Sequence, residues 1–229
     1  MNNTKTYIIK SDEDLKHYED ESGYHIKGNV EFAYSPVMKG RLLVDGYLEV
    51  GGSIEVGGYL EVGGYLEVGE YIKVGEFIEV GEFIKVGWSI EVGEFIEVGE
   101  FIKVGWYIKV GGYLEVGGYL EVGMFIEVGE FIEVGRYIEV GMYIEVGGYL
   151  EVGMYLEVGD SYGIRAGLHI TCKRSLTCGL NIYAGICTWR ETTDEDKTIT
   201  CGKLVTGNIE HGILVETGLE TDKLKVEKE

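Results

Sequence analysis

Glu61, Glu79, Glu97, Glu115, Glu133 and Glu151 stand eighteen residues apart, and no lysine interrupts the series. Two carboxylates can run acid–base chemistry when their surroundings pull their pKa values apart. In this chain acids recur everywhere, forty Asp and Glu against twenty Lys and Arg, so no couple stands out. A series of like carboxylates can instead present an anionic surface to a basic partner. Glu76, Glu94 and Glu130 adjoin it and belong to the same candidate face. The four histidines, His17, His25, His169 and His211, lie outside the regular repeat, and none forms a defensible nucleophile–base arrangement with a serine or cysteine. Glycine is so frequent that a Gly-x-Gly match says nothing about phosphate binding. Cys172, Cys178, Cys187 and Cys201 are separated by five, eight and thirteen residues, which is no common zinc spacing. In a reducing compartment they read as small buried hydrophobes. The sequence therefore assigns no catalytic, cofactor-binding or metal-ligating residue, and the expectation is a protein that binds without catalysing.

The elements that must position these side chains follow from a six-residue period. Each unit reads aromatic, Ile or Leu, Glu or Lys, Val, Gly, and a variable residue. Valine recurs twenty times without a miss from Val44 to Val158. Six residues are 1.67 helical turns, so an apolar stripe would smear around a helix. A glycine in every unit would also cost a helix about 1 kcal/mol each. Read as strand, each unit alternates aromatic out, aliphatic in, charge out, valine in, and then turns a Gly-x corner. The fold class is all-β, a parallel β-solenoid whose short strands pair with the turns above and below.

The corner residues set the size of the turn. Three hexads per turn would stack residues eighteen apart, and one corner column then reads Gly52, Glu70, Trp88, Trp106, Met124, Met142. A coil of two hexads would put Trp88 and Trp106 on opposite sides. A triangular coil of about eighteen residues per turn follows, with three outward faces. One is the all-glutamate face. The second mixes Glu55, Lys73, Glu91, Lys109, Glu127 and Glu145. The third mixes Glu49, Glu67, Lys85, Lys103, Glu121, Glu139 and Glu157. Seventeen of the twenty aromatic slots between Tyr47 and Ser161 hold Tyr or Phe, and serine holds the other three. Stacked ring ladders covering a flat sheet account for them. Trp88, Trp106, Met124 and Met142 form an apolar line suited to a partner or to a homodimer contact.

The chain divides into an irregular N-terminal cap (1–45), the solenoid (46–160), and a tapering coil with a C-terminal cap (161–229). Capped ends favour a discrete particle over a filament. Ser11 is placed to cap a short helix in the first segment, and a polar loop is expected near Arg190–Lys197. A net charge of −20 argues against direct contact with nucleic acid or an anionic membrane. Residues 46–160 carry 22 acids and 5 bases. Spread over about 31 Å of rod at the inter-strand spacing, that is about one net charge per 1.8 Å, close to duplex DNA at about 1.7 Å. The expected partner is thus a protein with a basic groove, engaged in some cases by nucleic-acid mimicry. The start of the chain shows no apolar run of signal-peptide length, and a cytoplasmic location is expected.

The repeat resembles the hexapeptide-repeat parallel β-helices, with Ile or Leu where those place a small residue. Some members of that group are acyltransferases with a His near a subunit junction, and a trimer binding an acyl-CoA is what such a resemblance would imply. A second resemblance is carried by Gly179, Leu180, Ile182, Tyr183, Ala184, Gly185, Trp189 and Arg190 following the repeat. Over residues 46–215 the chain is similar to phage- and prophage-encoded hexad-repeat proteins, with Val for Ala and aromatics for the small residue. That resemblance implies a mobile-element origin and inhibition of a bacterial defence system, in the manner of an anti-CRISPR protein. A structural scaffold or spacer rod is the alternative reading.

Overall fold

The computed structural model describes residues 5–159 and 162–218. It is a parallel β-solenoid of about 11 turns, 18 residues per turn. Strand Phe77–Val80 pairs with Phe95–Val98, Phe83–Val86 with Phe101–Val104, and Ser89–Val92 with Tyr107–Val110, all parallel and in register at that interval. The two inward positions of each hexad build one continuous core. The Ile and Leu positions from Leu48 to Leu156 are at most 1% exposed and the valines from Val50 to Val158 at most 6%.

The corner glycines have a physical role that differs from the conformational one suggested by their turn positions. None from Gly51 to Gly159 takes a positive φ. They are small because the turns approach closely. A Cβ on Gly105 would meet the carbonyl oxygen of Gly87 well inside contact distance, whereas one on Gly51 would meet nothing within 4 Å. Stacked corners are held by backbone hydrogen bonds such as Gly105 N to Val86 O (3.1 Å) and Trp106 N to Trp88 O (2.7 Å). A side chain at Gly105 would push these turns apart.

Parallel pairing extends past both limits of the regular repeat. Before it, Gly23–Ile26 pairs with Arg41–Val44, and Thr6–Ile9 pairs with Asn29–Phe32. Between these lie the helix Asp12–Leu15 and the 3-10 turn Lys16–Tyr18. Ser11 caps the helix by accepting from Asp14 N, Leu15 is 2% exposed, and the Tyr18 ring meets Tyr7 edge-on at 5.4 Å. The helix thereby closes that end of the core. After the repeat the valine column continues as Ala166 on Val146, Cys172 on Val152 and Cys178 on Val158, all three fully buried. The strand Ile170–Tyr183 rounds the corners without interruption and pairs in succession with three strands of the turn below. The loop after it is pinned by Arg190, which donates twice to the Asp196 carboxylate at 2.7 Å. Among the described residues no helix is long and apolar enough to cross a membrane.

Candidate partner-binding faces

Strand register decides which outward side chains become neighbours. It puts Glu61 beside Glu79, Glu79 beside Glu97, Glu97 beside Glu115, Glu115 beside Glu133, and Glu133 beside Glu151. The six acids form a single column, with Leu43 before it and Thr171 after it. Glu76 and Glu94 stack at the adjoining corner, and Glu130 follows beyond Gly112. Like charges directly opposite one another destabilise a sheet. The Glu79 carboxyl is accordingly raised above its ordinary value, first by burial and then by the charges of Glu61 and Glu97. Glu115 is raised likewise by burial and by Glu97 and Glu133.

The other two faces contain devices that neutralise their acids. Lys85 pairs with Glu67 (3.1 Å), Lys103 with Glu121 (2.7 Å) and Lys109 with Glu127 (2.9 Å). A second device pairs rings with acids sixteen residues earlier. The hydroxyls of Tyr65, Tyr71, Tyr107 and Tyr143 donate to Glu49, Glu55, Glu91 and Glu127. At Glu127 burial pushes upward, but Tyr143 and Lys109 outweigh it and the carboxyl is lowered. On the acidic face the corresponding ring is Phe77 for Glu61, Phe95 for Glu79 and Phe131 for Glu115, which have no hydroxyl to give; for Glu97 it is Tyr113, which feels the Glu97 charge but makes no hydrogen bond to it. Glu61, Glu79, Glu97 and Glu115 therefore stand as four consecutive carboxylates with no hydrogen-bond or ion-pair partner among the described residues. Glu133 and Glu151 are covered by Tyr149 (2.6 Å) and His169 (3.1 Å). The choice of Phe over Tyr was not part of the sequence reading. The signal was present, but it needed the observed sixteen-residue reach between ring and acid.

Beside the carboxylates runs a ladder of parallel rings, Tyr59, Phe77, Phe95, Tyr113, Phe131, Tyr149 and His169, with centroids 4.6 to 5.2 Å apart. A similar ladder from Tyr47 to Tyr137 lines the second mixed face. Stacking explains why aromatics fill an outward slot: each ring covers the one below and the flat sheet beneath. Ser53 and Ser89, which interrupt the third column, are buried, and Ser53 donates to Glu70 at 2.8 Å. Ser161 lies outside the described residues.

Trp88 and Trp106 point the same way. Their rings stack at 5.6 Å with an 11° interplanar angle. Their backbones continue to Met124 and Met142 through hydrogen bonds of 2.7 Å. Trp88 is 46% exposed, Trp106 52% and Met124 38%, while Met142 is half-buried, so the apolar line narrows along the coil. This edge joins the two mixed faces. In a three-sided coil it lies opposite the acidic face, so a flat partner reaches one or the other but not both.

The remaining candidates for chemistry are dispersed. His25 pairs with Asp45 at 2.7 Å, and His211 Nδ1 donates to the Ala184 carbonyl at 2.6 Å. All four cysteines are free, and burial pushes the Cys172 and Cys201 thiols up to about 11. Among the described residues no three His, Cys, Asp or Glu side chains are grouped to hold a metal ion. Open troughs run along the coil between the charged columns and the corner glycines. One, on a mixed face, is bounded by Glu49, Glu67, Lys85, Lys103 and Glu121. Fold and surface together define a parallel β-solenoid with one acidic face on which four consecutive glutamates stand unpartnered. Compared with protein-family models, curated proteins and solved structures, the chain matches none.

Proposed function

We propose that this protein is a non-enzymatic acidic binding protein that docks its glutamate face into a basic groove of a protein target and blocks it. The observation that carries this reading is the unpartnered run Glu61, Glu79, Glu97 and Glu115. A face serving only solubility would gain from the lysines and tyrosine hydroxyls that the other two faces use. Along this run no lysine stands and no tyrosine hydroxyl reaches a carboxylate, and the coil retains a repulsion that a basic partner would relieve. The net charge per length of the rod, summed over its faces, is close to that of duplex DNA, which favours a nucleic-acid-binding protein as the target. The resemblance to phage-encoded hexad-repeat proteins directs this further, to a component of bacterial defence. The Trp88–Trp106 edge, facing away, supplies a separate apolar contact.

The test is capture from a bacterial lysate followed by measurement of affinity against salt for the protein recovered. Binding should weaken at least about tenfold between low and high ionic strength, because interfacial ion pairs are screened. Affinity indifferent to salt removes the electrostatic reading. A spacer rod whose partners bind only its ends is favoured by the uninterrupted core, and deleting one eighteen-residue turn separates the two. A spacer keeps its partners after the deletion, whereas a face matched to a groove length binds more weakly.

A further inference from the structure

The corner that carries Trp88, Trp106, Met124 and Met142 continues past the regular repeat. Tyr143 pairs with Gly163 and Ile164 with Ile182, so the next two residues of the same corner are Tyr162 and Leu180. Tyr162 is 66% exposed and meets the Tyr143 ring edge-on at 5.9 Å, and Leu180 is 42% exposed. The apolar seam is bounded by Glu70, which accepts from Ser53, at one end and by Gly207 at the other. From Trp88 to Leu180 it spans five inter-strand steps, about 24 Å. Among the described residues from Arg41 to Tyr183, every exposed large hydrophobic side chain stands on it. Three half-exposed aromatics with Met124 and Leu180 present roughly 400 Å² of apolar surface, a size at which a patch marks an interaction site.

The charged columns on either side decide what fits the seam. Along one run Lys85, Lys103, Glu121, Glu139 and Glu157. Along the other run Glu91, Lys109, Glu127, Glu145 and Arg165. A two-fold axis that crosses the seam at Met124, perpendicular to two antiparallel rods, lays each column beside its own reversed copy. Lys85 then faces Glu157, Lys103 faces Glu139, Glu91 faces Arg165 and Lys109 faces Glu145, and the symmetry makes each pair twice. Glu121 and Glu127, level with the axis, face their own copies, and these are the acids already paired with Lys103 (2.7 Å) and Lys109 (2.9 Å). Along the seam Trp88 lies against Tyr162, Trp106 against Met142, and Met124 against itself. Sliding one copy by a turn brings Glu91 opposite Glu145 in one direction and Glu121 opposite Glu139 in the other. The remaining corners present Glu76, Glu94 and Glu130 on one and Glu82 and Glu100 on the other, so two chains of net charge −20 meet there with more repulsion.

We propose that the occupant of this seam is a second copy of the chain, joined antiparallel about an axis at Met124, with both acidic faces left outward. The proposal rests on this edge and its flanks and not on the reading of the acidic face. Doubled, the seam and its flanks cover about 1,000 Å², the lower limit for a specific interface, so the dimer forms in the micromolar range. Sedimentation over a concentration series tests it, and the native chain should pass from one copy to two. Trp88→Glu with Trp106→Glu should weaken association at least about thirtyfold, the loss expected when two aromatic anchors leave an interface. Lys103→Glu should weaken it about threefold to tenfold, and adding Glu139→Lys to the same chain should restore it, because the two positions face each other across the axis. A native chain that stays single at the highest concentration overturns the proposal. So does a dimer that withstands the tryptophan changes, or one that Glu139→Lys fails to rescue. If the tryptophan variant fails to fold, Met124→Glu, which sets two acids against each other at the axis, decides by the same measurement.

Discussion

The acidic face and the two mixed faces share one backbone, one turn length and one core, yet they treat the same outward glutamate in opposite ways. On the mixed faces a glutamate meets a lysine one turn away, as Glu67 meets Lys85, or a tyrosine hydroxyl sixteen residues ahead, as Glu91 meets Tyr107. On the acidic face Glu79 meets Glu61 and Glu97, and Phe95 takes the place of the tyrosine. The scaffold is indifferent to this choice because outward side chains do not enter the core. Surface charge can thus vary face by face without cost to the fold beyond local repulsion. Glutamates also stack on the mixed faces, as Glu139 does on Glu121, but only the acidic face keeps a column of six with no lysine among them, and that is what singles it out.

The comparison breaks most severely if the scaffold fails. Gly105→Ala should cost about 3 kcal/mol, since overpacking at a site with no slack lies at the upper end of the usual range, and Gly51→Ala should be nearly neutral. Urea unfolding midpoints of the two variants measure the difference. Equal midpoints would mean that close approach is not what demands glycine here. The next effect is on binding. Glu61→Lys, Glu79→Lys, Glu97→Lys and Glu115→Lys combined should weaken partner affinity at least about a hundredfold, because like charges across an interface cost several kcal/mol. Reversing Lys85 and Lys103 to Glu on the mixed face should leave affinity within about threefold, as expected of charges outside the contact. A similar loss from both sets would show that net charge, not the face, governs binding.

Acidification sharpens the same contrast. Glu79 and Glu115 have raised carboxyl pKa values in the folded coil. The folded state binds those protons more tightly than the unfolded chain. Their contribution is complete below the ordinary value of 4.5 and is lost as pH rises through the raised values. Asp20 behaves in the opposite sense. The Ser22 amide and Arg41 lower it to about 2, so its contribution is present above its ordinary value of 3.8 and lost as pH falls toward 2. The melting temperature should therefore rise as pH falls from neutral toward the ordinary carboxyl value of 4.5, and fall in stronger acid as Asp20 takes up its proton. Glu79→Gln with Glu115→Gln should flatten the upper limb alone. An unchanged upper limb in that variant would locate the effect elsewhere. The smallest effect is thermodynamic: Glu97→Lys alone should stabilise the coil by about 0.5 to 1 kcal/mol, since it exchanges two repulsive neighbours for attractive ones. A stability loss would mean that the column is not strained.

Much of this was legible in advance because the period is unforgiving. Trp88 and Trp106 share a column only if three hexads close a turn, and their stacked rings show that they do. The alternation of aliphatic and charge likewise separates inside from outside, because neighbouring residues of a strand face opposite ways. Less was legible where contacts cross turns at offsets other than eighteen. The tyrosine-to-glutamate reach of sixteen residues depends on the length and tilt of the phenol. It determines which acids are silenced, and it separates Glu133 from Glu115 within one column. The reason for the corner glycines was also hidden, since a turn residue with an ordinary φ reveals its constraint only through the carbonyl stacked beneath it.

By itself the sequence determined a triangular parallel coil, its inward and outward positions, and the grouping of six glutamates on one face. Those follow from periodicity, and strand geometry converts periodicity into direction. Only the tertiary structure decided which acids find partners and why the corners demand glycine. Those depend on distances between turns, and distance across turns is a property of packing that no interval along the chain contains.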